Sequence, residues 1–149
     1  MRTRFFQTLL IILAITVSSP SVSAHCEIPC GIYDDKMRIA LISEHIDTIE
    51  KSIKEIMSLE NQQDKNYNQI IRWVFNKENH ANEIQHIVSQ YFLTQRIKFD
   101  SKNYIEKITL LHKLLVYAMK CKQTTDLSNI NQMRSILKDF KKIYLSHNG

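Results

Sequence analysis

The sequence predicts an all-α protein, an up-down-up-down four-helix bundle preceded by an N-terminal hook. Three observations carry this prediction. Residues 32–148 contain neither glycine nor proline, the residues on which tight β-turns and glycine-rich phosphate loops depend. The same stretch holds four apolar stripes with the 3-and-4 spacing of one helix face. The segments between the stripes are short and polar, which favours neighbours that run antiparallel.

The first helix covers roughly residues 35–59. Ile39, Ile42, Ile46, Ile49, Ile53 and Ile56 fall on a single stripe, and Asp34 or Asp35 suits its N-terminal cap. The second stripe runs Tyr67, Ile70, Val74, Ala81, Ile84, Val88 and Tyr91. The third is Tyr104, Ile108, Leu111, Leu115 and Ala118, opened by Asp100 and Ser101. The fourth is Ile130, Met133, Leu137, Phe140 and Tyr144, opened by Asp126 or Ser128. Links at about 60–66, 96–101 and 121–127 join them. Each stripe is expected to bury apolar surface at about 25 cal/mol per Å², and the aromatic residues on the stripes read as core.

The N-terminal 24 residues have a different character. Arg2 and Arg4 form a positive start, Leu9 to Val17 is apolar, and Val22-Ser23-Ala24 supplies small residues for a peptidase. This is the pattern of a secretory signal peptide. Nine apolar residues are too few for a spanning helix, which needs about 20. Removing 24 of the 149 residues leaves 125, and the formal charge falls from +5 to +3 as the two arginines leave. An exported product, periplasmic or extracellular, without stable membrane insertion is expected; a propeptide in the same place would imply a cytoplasmic protein. A chain of 125 residues makes one domain with a single core. Lys141-Lys142 is the one dense basic spot near the C-terminus, which reads as a solvated helix face rather than a nucleic-acid surface.

Cleavage after Ala24 makes His25 the N-terminus of His25-Cys26-Glu27-Ile28-Pro29-Cys30-Gly31-Ile32-Tyr33. Pro29 fixes its own φ and biases Ile28 toward extended backbone, and Gly31 admits conformations closed to other residues. The turn is expected to bring Cys30 to face Cys26. The His25 α-amine and the Cys26 amide nitrogen form a five-membered chelate, and the two thiolates complete a planar N₂S₂ set. Such a set suits Ni(II) or Cu(II) better than zinc, which prefers a tetrahedron. The His25 imidazole is available as a fifth, axial donor. A Cys26–Cys30 disulfide is the competing reading, since export favours disulfides, although so small a loop gains little from closure. Two alternatives therefore stand beside a redox enzyme: a non-catalytic exported carrier of nickel or copper, and a disulfide-closed helical interaction module.

The nine residues resemble the nickel superoxide dismutase family, whose mature chains begin His-Cys-x-x-Pro-Cys-Gly-x-Tyr. The resemblance continues more loosely through Arg72-Trp73-Val74-Phe75-Asn76-Lys77-Glu78 and Ser89-Gln90-Tyr91-Phe92. It implies a four-helix bundle assembled as a homohexamer, with one nickel ion per chain as cofactor and superoxide as substrate. It implies nickel held by the His25 amine and imidazole, the Cys26 amide and thiolate and the Cys30 thiolate, with Tyr33 at the mouth of the site. Ni(II)/Ni(III) cycling would convert two superoxide anions and two protons into O₂ and H₂O₂. In the family an acidic residue on the first helix and an arginine on the second brace the axial imidazole. Here Ala40 and His80 stand at those positions, so His80 or Glu44 is expected to take over the bracing. Arg72 matches a further family arginine and equally suits a surface salt bridge. His45, His86, His112 and His147 share no metal-ligand spacing and read as surface or edge histidines, and Cys121 reads as a small core residue.

Overall fold

The computed structural model describes residues 35–146. Within them lie α1 (Asp35–Glu60), α2 (Tyr67–His86), a π-helix that continues α2 (Ile87–Arg96), α3 (Tyr104–Gln123) and α4 (Ser128–Leu145). The described residues are all helical, as the apolar stripes predict. The leader, the hook, Asp34 and His147 lie outside the described residues.

Cross-helix pairs give the topology. On α1 and α2, Ser52 accepts from Asn76, His45 meets His80, and Asp35 meets Tyr91. The partners' numbers fall as the α1 numbers rise, so the helices are antiparallel. Likewise Asp47 pairs with Arg134 and Asp35 with Tyr144 between α1 and α4. Lys77 reaches Lys122 and Gln85 reaches Leu115 between α2 and α3. With α3 packed on α4, the four helices form an up-down-up-down ring.

The α1 stripe is the spine of the core. Ile42, Ile46, Ile49 and Ile53 are fully buried, because spacings of 3 and 4 keep them on one face toward the other helices. Ala81, Ile84 and Val88 from the α2 arm, Leu111, Leu114 and Ala118 from α3, and Met133 and Phe140 from α4 meet them with no exposed surface. At one end the core turns aromatic. Phe92 sets its ring edge-on against Phe140 at 5.1 Å and Tyr144 at 5.4 Å, the arrangement that ring quadrupoles favour.

The front of the second stripe departs from expectation. Tyr67, Ile71 and Phe75 are 68%, 54% and 63% exposed, and Val74 is 36% exposed. The reason is length. Lys77 already meets the last turn of α3, where its ammonium donates to the carbonyls of Lys122 (2.8 Å) and Thr124 (3.2 Å). Those carbonyls have no partner within their own helix, and Lys77 caps them at the cost of a pKa lowered by burial. Residues of α2 before Lys77 therefore project past the end of α3, with α1 as their neighbour.

Helix starts also differ in detail from the sequence reading. Asp126 supports the start of α4 by accepting from the Ser128 amide and hydroxyl. α3 starts four residues after Asp100, behind Asn103 in the left-handed region at φ 57°, a conformation that asparagine tolerates better than most residues.

Truncating Phe92 to alanine removes the ring that joins the π-helix to Phe140 and Tyr144 of α4. The expected cost is about 3–5 kcal/mol, read as a lowered midpoint in urea denaturation followed by circular dichroism.

Candidate metal centre and its anchorage

The residues expected as nickel donors, His25, Cys26 and Cys30, with Tyr33, lie outside the described residues. The described chain begins at Asp35, two residues beyond Tyr33 in sequence. Its carboxylate does not cap α1. Oδ1 accepts from the Tyr91 hydroxyl at 2.5 Å and from Arg96 Nε at 2.9 Å, and Oδ2 accepts from the Tyr144 hydroxyl at 2.8 Å. Arg96 also pairs through its terminal nitrogen at 2.8 Å. One carboxylate thus joins the start of α1 to the end of the π-helix and the end of α4.

The π-helix makes this convergence possible. Tyr91 and Arg96 are five residues apart, and at 3.6 residues per turn they would point about 140° away from each other. Widening the turn brings i and i+5 to the same side. The wider register is visible in Ile97 N–H donating to the Phe92 carbonyl at 2.9 Å and in the Thr94 hydroxyl donating to the Ser89 carbonyl at 2.7 Å. Tyr91 is further held by two guanidiniums over its ring, Arg38 at 5.0 Å and Arg96 at 5.4 Å, which are favourable cation–π distances.

The electrostatics follow from the geometry. Burial alone would raise the Asp35 pKa, but the hydrogen bonds from Tyr91, Tyr144 and Arg96 and the charge of Arg96 outweigh it and hold it below its ordinary value. Burial and the neighbouring Asp35 carboxylate push Tyr91 up to about 12 and raise Tyr144 as well, so both phenols remain hydrogen-bond donors at neutral pH.

The other expected site residues separate. Ala40 and Glu44 line a groove between α1 and α4 that Lys138 and Lys141 complete. His80 lies on the α1–α2 seam, where it contacts His45. His45, read as a surface or edge histidine, is half-buried at this edge, and its contact with His80 was not foreseen, since a helix periodicity says nothing of which residue on a second helix will stand opposite. Arg72 is exposed on the projecting part of α2. Cys121 is fully buried, and burial pushes its thiol up to about 11, as suits an unreactive core residue. Among the described residues no group of three or more histidine, cysteine, aspartate or glutamate side chains is placed to hold a metal.

The Asp35 knot was not legible in the sequence. Tyr91 and Tyr144 look like core aromatics on their stripes and Asp35 like a helix cap. The one available signal was that two tyrosines occupied stripe ends where an apolar residue would serve, and a buried hydroxyl needs a partner.

Asp35→Asn keeps the shape and removes the charge. The expected loss is about 1.5–3 kcal/mol, the range for a hydrogen bond to a charged group. Because the folded carboxylate titrates below its ordinary 3.8, its stabilisation is complete above that value and is lost as pH falls through the lower folded pKa. Urea midpoints measured from pH 6 to pH 2 should therefore fall more steeply for the parent protein than for the variant.

The chain matches the family described as nickel-containing superoxide dismutase over residues 20–148. The matched span includes the hook and all four helices. No curated protein and no solved structure shows a significant match. With a match over most of its length and a helical bundle behind the hook, the chain belongs to the nickel-containing superoxide dismutase family, oxidoreductases that act on superoxide and carry nickel as their cofactor.

Proposed function

We propose that the dismutase centre of this chain is the processed N-terminus, with His25, Cys26 and Cys30 as its nickel ligands and Tyr33 at its mouth. The observation that carries this reading is the donor set itself. A new amine and an adjacent amide nitrogen, joined by two thiolates four residues apart, form the planar N₂S₂ arrangement that nickel accepts. Bound nickel supplies the Ni(II)/Ni(III) couple, so that one superoxide gives up an electron, another takes it up with two protons, and O₂ and H₂O₂ leave.

The remaining work falls to the protein. The Cys26 and Cys30 thiolates and the Cys26 amidate would hold the ion with negative charge that favours its higher oxidation state, and the His25 imidazole would be a further donor. Metal coordination keeps the thiolates from climbing the oxidation ladder in the presence of peroxide. Tyr33 restricts approach to small species and orders solvent. Arg38 and Arg96 stack over the Tyr91 ring, and with Asp35 offsetting Arg96 the charge of Arg38 is left to favour a small anion near the start of α1.

Two further parts of the reading concern the whole molecule. Cleavage after Ala24 makes the His25 amine available and accompanies export. Self-association, up to a hexamer, covers the apolar front of α2, because Tyr67, Ile71 and Phe75 lie close together at helical spacing and are more than half exposed. A second copy is the occupant that the projecting α1–α2 arm suits, since the same face recurs on every chain.

Mass spectrometry and elemental analysis of the mature protein test the centre. A His25 terminus and one nickel per chain are expected, together with loss of activity when one extra residue precedes His25. An intact leader with full activity would overturn the ligand set. For assembly, Phe75→Glu should shift the mass measured by light scattering toward smaller species while leaving helix content unchanged; an unaltered mass would exclude this face.

A further inference from the structure

His45 on α1 and His80 on α2 meet through their Nδ1 atoms at 2.8 Å, with ring centroids 5.0 Å apart and planes tilted by 52°. Both side chains are half-buried. Their positions are set by the core beneath them. His45 directly precedes the buried Ile46, and His80 directly precedes the buried Ala81, so the backbones on either side are fixed by packing.

The arrangement leaves room for one proton between the two ring nitrogens. We propose that the His45–His80 pair is a second metal site, with ligands other than those of the N-terminal hook, that takes a divalent late transition ion such as Cu(II) or Ni(II) in place of that proton. The two nitrogens stand at N–H···N hydrogen-bond distance, and that separation is close to the roughly 2.8 Å spanned by two metal–nitrogen bonds of about 2.0 Å that meet at a right angle. A turn of the rings without movement of the helices would aim both at one ion, and imidazole donors suit late divalent ions such as Cu(II) and Ni(II).

The surroundings fit a cation. Burial, and then the proximity of His80, hold His45 below its ordinary pKa of 6.5, so its ring stays neutral and keeps a lone pair at pH 7. The carboxylates of Glu44 on α1 and Glu83 on α2 act on His45 with the opposite sign, giving the site a negative field. Both glutamates are exposed. No third donor closes the shell among the described residues, so solvent would complete it. Such an ion would tie α1 to α2 about two turns along from the Ser52–Asn76 hydrogen bond.

The site does not depend on the ligand set of the hook, and the test separates the two. Cu(II) is titrated into the mature protein carrying His25→Ala, Cys26→Ser and Cys30→Ser, and into the same protein with His80→Phe added. The first should bind copper with an electron paramagnetic resonance spectrum split by ring nitrogens, and the added substitution should abolish that splitting. Ring-nitrogen splitting that survives His80→Phe places the copper elsewhere and overturns the proposal, as does its absence from both proteins. Circular dichroism reports whether His80→Phe keeps its helices. Should it not, copper broadening of the ring resonances in the triply substituted protein decides. His45 and His80 must broaden together and ahead of the other histidines, and failure to do so removes the site.

Discussion

One carboxylate fixes the relation between the bundle and whatever precedes it. Asp35 is the first described residue, and its two oxygens take hydrogen bonds from Tyr91, Arg96 and Tyr144. A buried carboxylate without such donors would be costly enough to take up a proton. With them, the start of α1 is held in place by two other elements of the ring. The constraint acts in both directions. Because Tyr91 and Arg96 must both reach Asp35, the end of the second helical arm is wound as a π-helix, and that winding turns Phe92 toward the aromatic cluster with Phe140 and Tyr144.

The two ends of the molecule are built by different physics. Near Asp35 the core is aromatic and polar groups are satisfied in a network, so the geometry is specific and intolerant of change. In the middle, the isoleucine stripe of α1 packs by shape alone. At the far end α1 and α2 outrun their neighbours, and Tyr67, Ile71 and Phe75 are left exposed. The specific end is the one at which the described chain begins, at Asp35. The apolar end is free to serve assembly.

A helix-bundle scaffold contributes little chemistry of its own here. Its perturbed titratable groups are held in fixed roles. Asp35 stays ionised, Tyr91 and Tyr144 stay protonated, and Cys121 stays a thiol. The seam pair His45–His80 is the exception, since its two ring nitrogens share a single position. It is also the one cross-helix histidine contact among the aromatic pairs described.

Much of this protein was determined by its sequence alone. The stripe from Ile39 to Ile56 specifies a helix and its buried face because apolar periodicity is a local property. The absence of glycine and proline from residues 32–148 excludes sheets with tight turns. The hook resembles its family because its donors are neighbours in the chain, so their chemistry can be read without a fold. Tertiary structure alone decided what depends on which residue stands opposite which. It turned Asp35 from a helix cap into the junction of three elements, paired His80 with His45, and made a π-helix of residues 87–96. It also left Tyr67 and Phe75 outside the core, because the length by which one helix outruns another is settled only when the helices pack.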